Sequence, residues 1–209
     1  MDRPISIVET IREGLLVEPE AAPDPGTLKP DLALEALRTG GPPIDAAVLI
    51  GVIERGRSYS VLYTLRSPDL RSHSGQIAFP GGKVDATDKG AADAAIREAG
   101  EEVAMRRDDV EVLGYLPRFF TGTNYLITPV VALVQPSAPF VPNPDEVAEV
   151  FEVPLDIVAG HENYGTHRVA FGGKNHRTWR IDHEGRMIWG ITAHLTRQFS
   201  EYALWGNTK

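Results

Sequence analysis

Near the N-terminus the apolar residues fall at Ile5, Val8, Ile11, Leu15 and Leu16, which is the spacing of a helix over 5–17. Residues 18–30, with four prolines, read as a loop, and Leu32, Leu34 and Leu37 outline a short helix over 31–38 that is stopped by Gly40, Gly41 and two prolines. From Ala46 the pattern changes to strands. Segments 46–54 and 59–66 are dense in Val, Ile, Leu and Tyr, with Gly56 and Arg57 between them, and predict a β-hairpin. A short strand over 76–79 runs into Pro80-Gly81-Gly82, and a helix follows over 91–105. Strands are expected at 110–117, 125–135 and 146–153, the last ended by Pro154, and a helical turn at 155–159. A second hairpin is expected from 167–171 and 178–181 around Gly172-Gly173. A terminal helix over 191–204 carries Ile191, Leu195, Phe199 and Tyr202. Strands outnumber helices and one helix interrupts them, so the pattern predicts a mixed β-sheet with flanking helices, in the α/β or α+β class.

Length narrows this to one domain, since 209 residues leave room for a terminal appendage but not a second core of full size. A net charge of −8 argues against non-specific nucleic-acid binding and against an anionic membrane surface, though a local basic patch can still meet a phosphorylated substrate. The absence of cysteine excludes disulfide scaffolds, zinc ribbons, iron–sulfur clusters and thiol nucleophiles. The first residues carry charges at Asp2, Arg3, Glu9, Arg12 and Glu13, unlike a signal core. The longest apolar runs, 46–53 and 129–134, fall far short of the ~20 residues of a membrane span. A soluble, cytoplasmic protein with no nucleic-acid or membrane partner is the expectation.

The densest chemical signal lies between Phe79 and Met105. Glu98, Glu101 and Glu102 are spaced i, i+3 and i+4, so their carboxylates share one helix face. Like charges there repel, and Gly100 between them costs a further ~1 kcal/mol relative to alanine. A divalent cation on that face would account for both features, because Mg²⁺ prefers carboxylate oxygens and bridges them to substrate phosphates. The bland alternative is a solvated acidic face. Gly81 and Gly82 permit a close backbone approach to an ion or phosphate. Arg97 is placed to pair with Asp93 one turn back, or with Asp85 in the loop.

These residues resemble the Nudix box, with Gly82, Asp88, Arg97, Glu98, Glu101 and Glu102 in its places. Asp88 replaces the usual Glu, and the gap to Arg97 is one residue longer than standard. Ala104 stands where a glycine normally follows, which predicts a helix running on toward Arg106. The upstream stretch, with Leu62, Thr64, Arg66, Ser67, Arg71, Gly75 and Phe79 before Gly81-Gly82, is similar to the extra motif of the coenzyme A pyrophosphatase subgroup. Residues 188–193 also resemble that subgroup's C-terminal end.

The resemblance implies a Nudix-type α/β/α sandwich over 43–209 (box 82–105), with 1–42 as a helical, proline-rich extension packed on it or on a partner subunit. It implies a Mg²⁺- or Mn²⁺-dependent hydrolase that cleaves the diphosphate of coenzyme A, its thioesters or its oxidised forms, giving 3′,5′-ADP and 4′-phosphopantetheine or its acyl derivative. Glu98 and Glu102 would be metal ligands, Glu101 a third, and the Gly82 carbonyl a further one. Glu146 or Glu149 is a candidate general base. Arg66, Arg71, His73 and Lys83, with Gly81, would meet substrate phosphates. Phe119, Phe120 and Tyr125 could stack on adenine or pack in the core. Rival expectations are a Nudix hydrolase for ADP-ribose, a dinucleotide or a nucleoside triphosphate, a silent nucleotide-binding domain, and a structural protein with an acidic helix face. A homodimer is expected by analogy with other Nudix domains. Elsewhere the signals are weak. The six histidines lack an HExxH pattern, Ser72-His73-Ser74 is no triad, and Gly172-Gly173-Lys174 lacks the rest of a P-loop.

Overall fold

A computed structural model describes residues 6–21, 42–70, 73–171 and 174–205. The expected helix at 31–38, the Gly172-Gly173 turn and Arg71 lie outside these residues. The spine of the sheet is β1 (Ile44–Arg55), which pairs in parallel with β7 (Tyr125–Val134) over nearly its whole length. On its other side β1 pairs antiparallel with β2 (Ser58–Arg66), but only near the hairpin turn, from Val52↔Val61 to Arg55↔Ser58. The two strands then part. The gap is filled by β3 (Ile77–Ala78), paired with β2, and β4 (Gly81–Lys83), paired with Ala46–Val48 of β1. β5 (Val110–Tyr115) and β6 (Phe119–Phe120) pair with β7, and β8 (Val147–Pro154) with the outer edge of β2. The sheet is therefore mixed.

Both faces are covered, giving the α/β/α sandwich. Side chains alternate across a strand, and β1 sends Ala47, Leu49 and Ile53 toward one helix while Ile50 and Val52 face the opposite core. The first helix is α2 (Ala91–Val103), whose Ala94, Ala95 and Ala99 are fully buried. Such small residues let it lie close to the sheet. The other face is covered by α1 (Ile7–Glu13), α3 (Leu155–Ala159) and α4 (Gly190–Phe199), with a turn of π-helix over Ser200–Leu204. Ser6 and Glu9 cap α1 reciprocally. Ile11 is fully buried, and Leu16 bridges to Tyr115, so this segment closes the chain's own core. Tyr63 stacks between Phe79 and Phe151, with ring centroids 4.8 and 5.7 Å away, and its hydroxyl lies 3.0 Å from that of Thr196. This buried ladder fixes the approach to the Pro80-Gly81-Gly82 turn.

One expectation is extended and another corrected. The hairpin near Gly172-Gly173 is part of a separate three-stranded sheet of β9 (Tyr164–Phe171), β10 (Lys174–His183) and β11 (Arg186–Trp189). The third strand was not expected, because four residues leave little periodicity to read. Nor does α2 run on to Arg106. It stops at Val103, with Ala104 in the left-handed region (φ 54°, ψ 31°), where its N–H reaches the Ala99 and Gly100 carbonyls. The tertiary fold imposes the turn that glycine would adopt freely. A left-handed alanine costs about 1–2 kcal/mol, partly offset by the smaller entropy of its unfolded chain. Ala104→Gly should therefore raise the melting temperature by about 2–3 °C, as thermal unfolding would measure; a fall would mean that the turn is not strained.

Candidate active site

The parting of β1 and β2 brings β4 against the acidic face of α2. A Cβ on Gly82 would stand 2.3 Å from a Glu98 carboxylate oxygen, and one on Gly81 would stand 2.4 Å from the Ala47 carbonyl oxygen. At Gly81 the obstacle is backbone, so only glycine fits there, whereas a side chain at Gly82 would displace the Glu98 carboxylate. The Gly81 backbone favours the charged form of the Glu102 carboxylate, though weakly. Glu102 is 3% exposed, and burial pushes its pKa up to about 8; the charges of Glu146 and Glu98 push the same way, and Arg66 opposes them. The pKa of Glu98 is also raised, first by burial and then by the charges of Glu101 and Glu146, against the pull of Arg97. Four carboxylates thus act on one another around the buried Glu102.

Glu146 comes from the loop after β7, which is docked on the end of α2. The Val141 N–H donates to the Val103 carbonyl, and the Asn143 N–H to that of Glu102 (2.8 Å). The Glu146 carbonyl accepts from the Ser67 N–H, next to Arg66. Glu149, the other candidate base, is instead paired with Arg186 of β11 at 2.5 Å, and the Arg186 guanidinium lies over Phe151. That charge is committed elsewhere.

Arg97 braces the loop against the helix, but not through Asp93. Its Nε and Nη2 donate to the two oxygens of Asp88 (3.0 Å each), Nη1 to Glu98 (3.0 Å) and Glu101 (3.1 Å), and Nη2 also to the Lys83 carbonyl (3.1 Å). Asp85 is 3.7 Å away. Asp93 pairs with Arg107 and accepts from the Lys89 N–H. The planar guanidinium meets Asp88 with two donors, which explains the preference. The Asp88 side chain is 3% exposed, and the bonds from Arg97 hold its pKa below the usual range.

The donor chemistry fits a hard divalent cation: oxygen ligands, mutual repulsion and a cradle under Gly82. Among the described residues, no three His, Asp or Glu side chains converge in ligand geometry. Glu98 and Glu101 are both held by Arg97. Arg66 has a buried Nε with no partner, so it presents an unspent donor beside the glutamates. Lys83 is exposed at the end of β4. Phe119 and Phe120 are buried, Phe119 against His194 at 4.5 Å, so Phe119 packs in the core instead of offering a free face to adenine.

The mixed sandwich holds clustered helical glutamates against a glycine turn, a set of hard oxygen donors suited to a divalent cation. The NUDIX domain family model matches residues 43–170, and the chain belongs to the Nudix hydrolase family. Its relatives include the uncharacterized Nudix hydrolase NudL of Escherichia coli (strain K12), 43% identical over 74% of this chain and 80% of that one. NudL of Salmonella paratyphi B is 40% identical over 83% and 88% of the two chains. Among solved structures, DR0079 from Deinococcus radiodurans has a TM-score of 0.49 at 17% identity, covering 88% of this chain and 96% of that one. The Nudix hydrolase RenU of M. smegmatis has a TM-score of 0.44 at 27% identity, covering 57% and 75%. The chain is a Nudix pyrophosphohydrolase, of a family that generally works with divalent metal ions. No helix among the described residues is long and apolar enough to cross a membrane.

Sequence reasoning missed the docking of Asn143 on α2 and the commitment of Glu149 to Arg186. Both join segments far apart in the chain. The close contact of Gly82 with Glu98 was signalled only by the glycine itself.

Proposed function

We propose that this protein hydrolyses the diphosphate bond of coenzyme A, its thioesters or its oxidised forms, releasing 3′,5′-ADP and 4′-phosphopantetheine or its acyl derivative. The observation that carries this reading is the cluster of Glu98 and Glu102 under the Gly81-Gly82 turn, coupled to Glu146 and flanked by Arg66, within the subgroup-like motif of residues 62–82. Glu98 and Glu102 would hold Mg²⁺ or Mn²⁺, with Glu101 and the Gly82 carbonyl as further ligands. Bound metal neutralises the diphosphate and lowers the pKa of the attacking water.

The protein's own part is to place charge. Arg66 and Lys83, with Arg71 outside the described residues, bind the phosphate oxygens, and the Gly81 turn brings the backbone within reach of them. Glu146 takes the proton from water attacking one phosphorus in line with the leaving phosphate. It suits the role better than Glu149, whose carboxylate is paired with Arg186. Arg97 positions Glu98 and Glu101. The protein works in the cytoplasm on a small molecule, and a homodimer is the expected assembly.

The test is chromatography of products after incubation with coenzyme A, with and without Mg²⁺ or Mn²⁺. Metal-dependent release of 3′,5′-ADP and 4′-phosphopantetheine is the expected result. Turnover of ADP-ribose or a dinucleotide in place of coenzyme A would overturn the substrate while leaving the hydrolase.

A further inference from the structure

On the face of the sheet opposite α2, a cavity of about 470 Å³ opens beside the site. At one end it reaches Gly81, Gly82, Arg66 and Lys83, where a diphosphate would lie. Its other walls are Val48, Ile77, Phe79 and Ile127 from the sheet, and Ile191 and Leu195 from α4. The helix therefore faces the site across the cavity. Both α4 residues lie beyond the segment that the family model matches, which ends at 170.

Thr192, Gln76 and His73 make contacts of their own among the lining, and Tyr125 adds its ring and phenol. The Thr192 hydroxyl donates to the Ile77 carbonyl at 2.8 Å, and the Gln76 amide oxygen lies 2.9 Å from the His73 ring nitrogen. The aliphatic walls suit the gem-dimethyl group and methylenes of a pantetheine arm, and the Tyr125 phenol is a polar partner for its amides.

We propose that this cavity holds the aliphatic, non-nucleoside arm of the diphosphate substrate, that Ile191 limits the arm's bulk, and that the nucleotide half lies on the solvent side of the diphosphate. The assignment rests on the coenzyme A reading and adds the direction in which the substrate enters. Ile191 is a specificity residue: it touches the arm and takes no part in the bond-breaking step.

The test measures competitive inhibition of coenzyme A hydrolysis by the two product halves, for the wild type and for Ile191→Trp. The tryptophan should raise the inhibition constant of 4′-phosphopantetheine about tenfold or more, as the loss of about 1.4 kcal/mol or more of binding would, and leave that of 3′,5′-ADP within about twofold. Weakening of 3′,5′-ADP alone, equal weakening of both, or no change would overturn the assignment. The smaller change Ile191→Phe repeats the measurement if the tryptophan variant fails to fold. A second readout needs no variant and no turnover. In methyl-labelled wild-type protein, the Ile191 and Leu195 resonances should shift with 4′-phosphopantetheine and not with 3′,5′-ADP; the reverse overturns the proposal. A wild type that cleaves no coenzyme A removes the functional reading and the arm assignment together. A wild type that cleaves it and shows the wrong inhibition pattern removes only the assignment.

Discussion

Glu102→Gln should lower turnover by roughly 10²–10³-fold or more and at the same time raise the melting temperature at neutral to alkaline pH. The two effects have one cause. Glu102 is almost fully buried, and its folded-state pKa of about 8 lies far above the ordinary 4.5. Between those values the folded protein binds a proton that the unfolded chain releases, so the carboxyl group's contribution to stability is complete below about 4.5 and is lost as pH rises through 8. Glutamine keeps the shape but carries no charge to desolvate. The gain should be on the order of 1–3 kcal/mol at pH 8 to 9, since removing an uncompensated buried charge is of that size. It should shrink toward zero near pH 4.5. Thermal melts of both proteins across pH, without added metal, measure it. Adding Mg²⁺ or Mn²⁺ should stabilise the wild type and release protons, and should do neither in the variant. A variant that keeps its turnover would end the assignment of Glu102 as a ligand. One that loses turnover without the pH-dependent gain would show the carboxylate to be better solvated than its position in the fold implies.

That a functional residue should oppose stability was partly legible beforehand. The spacing of Glu98, Glu101 and Glu102 is a local property of a helix, readable without knowing what the helix packs on. So are the alternation of the long strands and the caps and turns that bound them. The depth at which Glu102 sits is different, because it depends on the loop at Val141–Asn143 closing over the end of α2. The same distinction separates the two candidate bases. Glu146 and Glu149 look alike in sequence, and only the pairing of β8 with its surroundings gives Arg186 to one of them. The small sheet formed by β9, β10 and β11 escaped for a related reason: its last strand is set by register against β10, from Arg180↔Trp189 to His183↔Arg186, more than by any pattern of its own. The left-handed Ala104 shows tertiary structure overruling a local preference, since the sequence signal for the stop was absent and the stop occurs regardless.

Arg97→Lys should reduce apparent metal affinity and activity by about 10–100-fold, the usual range for a group that orients metal ligands from behind. One guanidinium now serves Asp88 with two donors, Glu98 and Glu101 with a third nitrogen, and the Lys83 carbonyl as well. An ammonium is a point charge with three donors and cannot reproduce that planar set. The loss should reach the glutamates by two routes. Glu98 would be freer to rotate away from Gly82, and the 83–88 loop, tied by the Asp85 N–H to Asp88 and by Asp88 to Arg97, would lose its anchor. Activity should therefore recover partly at high metal concentration, because what is lost is the pre-arrangement of ligands and not the ligands themselves. A purely structural role would lower stability without moving the metal concentration needed for half-maximal rate. Stability carries its own signature. Asp88 is held below the usual carboxylate range by Arg97, so its contribution is present above that range and is lost as pH falls through the depressed value. The lysine variant should melt lower than the wild type at pH 7, and the gap should close as the solution is acidified below pH 3.8, where the free side chain itself takes up a proton. A gap that is constant with pH would place the loss in packing, and an unchanged metal requirement would remove Arg97 from the positioning of Glu98 and Glu101.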